Sequence, residues 1–320
     1  MIVFTSNNRG RIKEAGRFRT GGRGTGDGLG NQGALALNGG RQLLYVVNPG
    51  SNEISFFITF SNGKLILIDK INSGGVRPVS VTVHKGLIYV LNAGSDNIAG
   101  FTHNRKGKLV AIPNSKRNLS GKETAAAQIS FSPNGRALVV TERATNLITS
   151  YRVQSNGRPG SRRTFKAANN TPFGFEFGRG SNFHVSEAAG GNDRASSVSS
   201  YSVDNNGRVS LLDGPFALNS TAACWVAVAR DNKTVFVTNT GSNTISAVNA
   251  NNRGRISSRA TTRANTGPLD VALDDRSKYL YVLAGGSDEI LTYDVGNRGS
   301  LKQIDTDGGL PDRASGLVVR

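Results

Sequence analysis

One pattern recurs along this chain and limits its fold more than any other feature. An apolar run ends in a polar residue, a turn of small residues follows, and a second apolar run begins. It appears as LLYVVNPGSNEISFF from Leu43, LIYVLNAGSDNIAGF from Leu87, ALVVTERATNLITSY from Ala137, NFHVSEAAGGNDRASSVSSY from Asn182, TVFVTNTGSNTISAV from Thr234 and YLYVLAGGSDEILTY from Tyr279. Measured at Asn48, Asn92, Glu142, Glu187, Asn239 and Ala284, the steps are 44, 50, 45, 52 and 45 residues. A period of this length marks supersecondary units that bury their apolar faces on one another.

Each copy is preceded by another apolar run and turn, as in AQISFSPNGRALVV and CWVAVARDNKTVFV. Each is followed by a hairpin with an Asn/Gly turn: FSNGKL, HNRKGKL, QSNGRP, DNNGRV, ANNRGRI and GNRGSL. Alternating apolar residues bounded by Gly, Asn and Asp form short antiparallel strands, and helical periodicity is nearly absent. Four strands per unit, A to D, predict an all-β fold, a β-propeller of four-stranded antiparallel blades. Six copies are complete. IVFTSNNRGRIKEAGRF at the N-terminus has the pattern of strands C and D, and ASGLVVR at the C-terminus that of a strand A. A seventh blade shared by both chain ends is therefore expected, short of one strand B. The expected organisation is a single, monomeric propeller domain over residues 1–320.

Composition excludes several classes. The one cysteine, Cys224, rules out an internal disulfide and zinc sites of the CxxC type. His84, His103 and His184 are scattered without metal-ligand spacing. No stretch approaches the ~20 apolar residues of a membrane-spanning helix. The start, MIVFTSNNRG, lacks the charged and apolar regions of a signal peptide. It fits a cytosolic protein or the mature form of an exported one, with the exported form preferred.

The run TPFGFEF, VSEAAGG, TAACWVAVARDN and VTNTGSNTIS, in this order and at blade spacing, resembles the seven-bladed β-propeller lactonase family, whose members are described as 6-phosphogluconolactonase-like or carboxymuconate-cyclase-like. GTGDGLGNQGALAL, VVNPGSNEISFF and ISFSPNGRALVVTERATN extend the resemblance over essentially the whole chain. It implies a propeller and a lactonase-type hydrolase. Family members that act on lactones typically begin one inner strand with Pro-His and use a His, Arg and Glu constellation. The positions matching that His are Val79, Ala127, Phe173, Cys224 and Leu269, so this chain departs from the pattern.

In a propeller, the ends of strands B and the segments leading into strands A share one side, around the mouth of the channel. Asn48, Asn92, Glu142, Glu187 and Asn239 come from strand B ends, and Gln32, Arg77, Gln128, Phe173, Trp225, Asp270 and Arg313 from the starts of strands A. Glu142 and Glu187 are the candidate catalytic pair, since they replace Asn at equivalent positions and can supply an acid and a base. Candidate ligand-binding residues are Asn48, Arg77, Asn92, Gln128, Arg143, Phe173, Trp225, Asn239 and Arg313. No cofactor is certain, but the ring's oxygens could also take a divalent cation. The competing reading is structural: Asn and Glu at strand ends bond turn amides, Glu142 pairs with Arg143, and Cys224 and Trp225 are packing residues.

The GxGxxG at Gly28, Gly30 and Gly33 is followed by a strand rather than a helix, so it is an inter-blade loop and not a dinucleotide site. The net charge of +17 favours polyanionic partners. Much of it sits in or beside the C–D hairpins, at Arg9, Arg11, Arg105, Lys106, Lys108, Arg158, Arg162, Arg163, Arg208, Arg253, Arg255 and Arg298. With little aromatic interleaving, sequence-specific nucleic-acid binding is not expected. Two functions stand side by side: a hydrolase of a lactone or a similar small polar substrate at the channel mouth, or a non-catalytic binding scaffold with a basic rim.

Overall fold

The computed structural model describes residues 1–40 and 42–320, the side chain of Arg259 excepted. The strands form six sheets of propeller type and one two-stranded hairpin. The hairpin is β1 (Ile2–Ser6) with β2 (Ile12–Arg17). By contacts the chain divides into two compact units.

Unit 1 carries blades 1 to 3. Blade 1 is β3 (Leu35–Leu37), β4 (Leu43–Asn48), β5 (Glu53–Thr59) and β6 (Leu65–Asn72); blade 2 is β7 (Pro78–His84), β8 (Leu87–Asn92), β9 (Asn97–His103) and β10 (Leu109–Ala111), with β11 (Arg117–Asn118) also on β9. Blade 3 is β12 (Ala126–Phe131), β13 (Ala137–Glu142), β14 (Leu147–Val153) and β15 (Pro159–Lys166). Every pairing is antiparallel, and all but β9–β11 join neighbours in sequence through connections too short for a parallel crossover. Alternation sends one set of side chains to each face. Between blades 1 and 2 these are Tyr45, Ile54, Phe56, Val81, Ile88, Val90 and Phe101, all buried. The Tyr89 hydroxyl on blade 2 donates to the Gly157 carbonyl in the outer turn of blade 3 at 2.6 Å, which closes the edge of the second interface.

Unit 2 carries blades 4 to 6. Blade 4 is β16 (Pro172–Phe177), β17 (Asn182–Glu187), β18 (Ser197–Val203) and β19 (Val209–Ala217); blade 5 is β20 (Ala223–Val228), β21 (Thr234–Asn239), β22 (Thr244–Ala250) and β23 (Ile256–Arg263). Blade 6 is β24 (Pro268–Leu273), β25 (Tyr279–Ala284), β26 (Glu289–Val295) and β27 (Leu301–Asp307). Val198, Val226, Val235, Val237 and Val248 fill the space between blades 4 and 5.

The first strand of each blade has one edge without a strand partner, so its backbone groups must bond elsewhere. Side chains of the preceding blade supply the bonds. In unit 1, Ser80 and Thr82 hydroxyls accept the amides of Ile129 and Phe131 at 3.2 and 3.1 Å. In unit 2, carboxylates do the same: Glu176 accepts Val228 N–H at 2.6 Å and Asp270 accepts Leu317 N–H at 3.2 Å. The outer strands are linked in the same manner. Asp69 accepts Leu109 N–H and Asp213 accepts Ile256 N–H, at 2.8 and 2.7 Å.

The expectation of a seventh blade short of one strand is met only in part: among the described residues six blades are complete. Its outer part is present as β1 and β2, matching the predicted strands C and D. The predicted strand over ASGLVVR does not form, since no strand B lies beside it to complete a ladder. Its backbone nonetheless keeps the register of an inner strand. Arg313 has φ 59°, and the residues just before the inner strands of blades 2 to 6, Arg77, Ala125, Thr171, Ala222 and Gly267, all have φ between 48° and 66°.

Candidate functional site

The strand B ends turn inward. Glu142 is fully buried and accepts from Thr149 Oγ1 at 2.5 Å, Thr145 Oγ1 at 2.9 Å, the Ser120 amide at 3.2 Å and the Ser120 hydroxyl. Glu187 is equally buried and accepts from Ser197, Ser199 and Tyr201 hydroxyls at 2.6, 2.7 and 2.9 Å, and from the Asn169 amide at 3.3 Å. Burial pushes the Glu187 carboxyl up and the hydroxyl donors oppose it. Both carboxylates thus fasten the segment leading into their own blade's first strand. Asn48 donates to Ser55 at 2.7 Å, Asn92 to the Ser73 carbonyl at 3.1 Å, and Asn239 to Thr244 and Ser246 at 3.0 and 2.9 Å. The five residues expected to share an opening each serve their own blade.

Among the remaining candidates, Phe173 and Trp225 meet, with ring centroids 4.9 Å apart, at the starts of the first strands of blades 4 and 5. Arg143 donates to the Ala125 carbonyl at 2.9 Å. Gln128 is buried, and Arg77 and Arg313 are exposed. Among the described residues, no cluster of three His, Cys, Asp or Glu is placed to hold a metal ion. The oxygen atoms of Glu142 and Glu187, which suggested one, are occupied by hydroxyl and amide donors.

A different acidic site lies along the inner edge of unit 2. Glu176 sits in β16, with its neighbours Phe175 and Phe177 on the opposite face of the strand. Its side chain is open to water although protein surrounds it, and this enclosure pushes it up from an ordinary 4.5 to about 7. The Val228 N–H partly opposes the rise. Water access tempers the desolvation. Asp270 in β24 is buried and rises from 3.8 to about 7, chiefly through burial, with the Val271 and Leu317 amides opposing and the Glu176 charge adding.

Glu176 also has a partner in register. It lies directly opposite His184, and His184 opposite Ser200, so the three side chains form a row on one face of blade 4. Burial lowers His184 to about 4, which keeps the imidazole neutral at physiological pH. His184 Nδ1 and Ser200 Oγ are buried without a hydrogen-bond partner. Blades 1, 2 and 6 carry Tyr45, Tyr89 and Tyr281 at the His184 position, and blade 5 carries Phe236. Among the described residues, blade 4 alone places a carboxylate and an imidazole side by side at these paired positions.

The sheets define the class of all-β propeller proteins with four-stranded antiparallel blades. The family model for "Lactonase, 7-bladed beta-propeller" matches residues 108–220 and 182–313, and the chain belongs to this family. Among solved structures, the fold is similar to the periplasmic gluconolactonase PpgL of Pseudomonas aeruginosa, with TM-score 0.78 and 15% identity over 97% of this chain and 93% of that one. It is similar to a protein from Lactobacillus plantarum, with TM-score 0.77 and 17% identity over 97% and 96%. Virginiamycin B lyase from Staphylococcus aureus is further away, at TM-score 0.60 and 14% identity over 87% and 85%. Sequence comparison with curated proteins finds no match.

Proposed function

We propose that this protein is a lactonase-type hydrolase of a small polar lactone, in a single seven-bladed propeller, and that Glu176 is its acid–base group. The observation that carries this reading is the placement of Glu176. It is reachable by water, held at one oxygen by Val228 N–H, and poised near neutrality. A general base works best with a pKa near the working pH. In the reaction, the carboxylate of Glu176 takes a proton from water as the water oxygen bonds to the lactone carbonyl carbon. The tetrahedral intermediate then expels the ring oxygen, which takes the proton back from Glu176, leaving the hydroxy acid. Burial, with a smaller contribution from the Glu176 charge, raises Asp270 to about 7 as well. His184, neutral and in register with Glu176, adds no competing charge.

Glu176→Gln should lower turnover on a panel of aldonolactones by at least ~100-fold, the usual contribution of general acid–base catalysis. The fold should survive, because the amide oxygen can still accept Val228 N–H. Wild-type kcat/KM should rise with pH and level off above about 7. Undiminished turnover by the variant would remove Glu176 from the mechanism.

The seven-blade reading rests on the two chain ends. Asp305 of blade 6 accepts Ile12 N–H at 2.8 Å, the bond that Asp69 and Asp213 make to the next outer strand. Leu317 meets Asp270 as Ile129 meets Ser80.

A second reading, polyanion binding, is favoured by one repeated detail. The residue after the turn glycine is basic in six C–D hairpins: Arg11, Lys64, Lys108, Arg158, Arg208 and Arg255.

A further inference from the structure

Blade 1, within unit 1, differs from the other blades at the entry to its inner strand. In every blade, the residue two past the end of the second strand donates its amide to a carbonyl in the segment leading into the first strand. In blades 2 to 6 the donors are Gly94, Ala144, Ala189, Gly241 and Gly286, and the acceptors are Val76, Thr124, Asn170, Thr221 and Thr266. Each acceptor stands two residues before the first strand of its blade. In blade 1 Gly50 donates to Arg23 at 2.9 Å, but β3 begins only at Leu35, twelve residues on. The glycine-rich run GTGDGLGNQGA, residues 24–34, is thus an insertion carried by one repeat. Insertions in single repeats of an array become surface loops, and such loops often carry the binding function.

Where this insertion departs, a cavity of about 470 Å³ lies between residues 21–23 and the turn 50–53, with Lys70 of β6 at its side. That is the size of a small-molecule site. Its walls are held by hydrogen bonds. Ser55 donates to the Thr20 carbonyl at 2.6 Å, and the Arg23 amide donates to Ser51 Oγ at 3.0 Å. Lys70 Nζ meets Glu53 at 2.7 Å and donates to the Gly21 carbonyl at 3.0 Å. A Cβ on Gly22 would overlap Asn48, and one on Gly50 the Gly24 carbonyl, so loop and turn approach as closely as only glycine allows. Every side chain in the lining is polar or charged. Lys70 and the Ser51 hydroxyl hold the Glu53 carboxyl below its usual range, which keeps it an acceptor. Arg23 is exposed, and among the described residues its guanidinium makes no hydrogen bond or ion pair; it acts on Glu53 only through longer-range charge.

We propose that this cavity binds a small polyhydroxylated anion, a sugar acid or a sugar phosphate. The lining carries two cations, Arg23 and Lys70, against the one carboxylate of Glu53, so it matches a single acidic group. The fork of Arg23 grips that group, since a guanidinium presents paired donors to carboxylate and phosphate oxygens alike. Glu53 and the backbone carbonyls of the turn accept the ligand's hydroxyls. A hydrocarbon ligand finds no apolar side chain to cover it. The site is built from unit 1 alone, contains none of the groups assigned to hydrolysis, and does not depend on that assignment.

Titration calorimetry on the intact protein tests it, with gluconate and glucose 6-phosphate as probes and glucose as the neutral control. At least one anion should bind with a Kd below ~1 mM, and glucose at least ~10-fold more weakly. Whichever anion binds more tightly identifies the acidic group. Arg23→Gln should weaken that anion at least ~10-fold and leave Tm unchanged, because the bonds of Arg23 to the turn are made by its backbone. Glu176→Gln should leave binding as it is. No binding of either anion at ~10 mM would overturn the proposal, as would full affinity in the Arg23 variant. Loss of binding in the Glu176 variant instead would also overturn it, by placing the anion at the hydrolytic site. Inorganic phosphate or acetate binding as tightly as the sugar anions would remove the hydroxyl contacts and with them the proposed ligand class.

Discussion

Glu176 and Glu142 carry the same functional group and have opposite surroundings. Glu142 accepts four hydrogen bonds from its own blade, whereas Glu176 accepts the Val228 N–H and meets water. A strand-end acid can be recognised in sequence from the repeat, but the donors that satisfy it come from residues 22 positions before and 7 after, and no local pattern announces them. Glu176 carried a signal that strand-start alignment does not use. It stands at the inner-strand position held by Thr82, Ser130, Ala227 and Ala272, where a carboxylate is out of keeping. The raised pKa values of Glu176 and Asp270 have a consequence for stability. Both folded-state pKa values lie near 7, above their ordinary 4.5 and 3.8, so the folded protein binds more protons than the unfolded chain between those limits. Their contribution is most favourable below pH 4 and is lost as pH climbs to about 7. His184, lowered to about 4, acts in the other direction below 6.5. The difference between wild type and Asp270→Asn isolates one term: Tm of the wild type should fall relative to the variant from pH 5 to pH 7.5. Parallel Tm curves would show that Asp270 titrates normally.

At the scale of elements, strands and turns were largely legible, because a period of two and Gly/Asn turns depend only on near neighbours. The hairpin β1–β2 was legible for the same reason. The strand over ASGLVVR was not, since a strand exists only with a partner to bond, and the missing partner lies nowhere near it in sequence. Between blades, shape and a few hydroxyls set the spacing. Tyr89 is the example: its ring fills the space between blades 2 and 3 and its hydroxyl satisfies the Gly157 carbonyl. Tyr89→Phe keeps the ring and orphans that carbonyl, so it should destabilise unit 1 by about 1–2 kcal/mol. Urea unfolding would measure it, and no change in midpoint would mean that water replaces the hydroxyl.

For the whole molecule, 39 basic residues against 22 acidic ones leave a net charge of +17. Polyanion binding through the hairpin cations predicts retention on heparin that weakens steeply with salt. Replacing Lys64, Lys108 and Arg158, one per blade in unit 1, by Gln should elute the protein at clearly lower salt. Equal elution would exclude those turns as the contact. The sequence by itself determined the repeat, the strand polarity and the family, because a blade's alternation and turns are written within about 45 residues. Only the tertiary structure decided which carboxylates meet water. That depends on donors brought in from other strands and other blades, and on whether a charge faces a hydroxyl cage or an open interior. It left Glu142 and Glu187 as fasteners of their own blades, and it moved the candidate chemistry to Glu176.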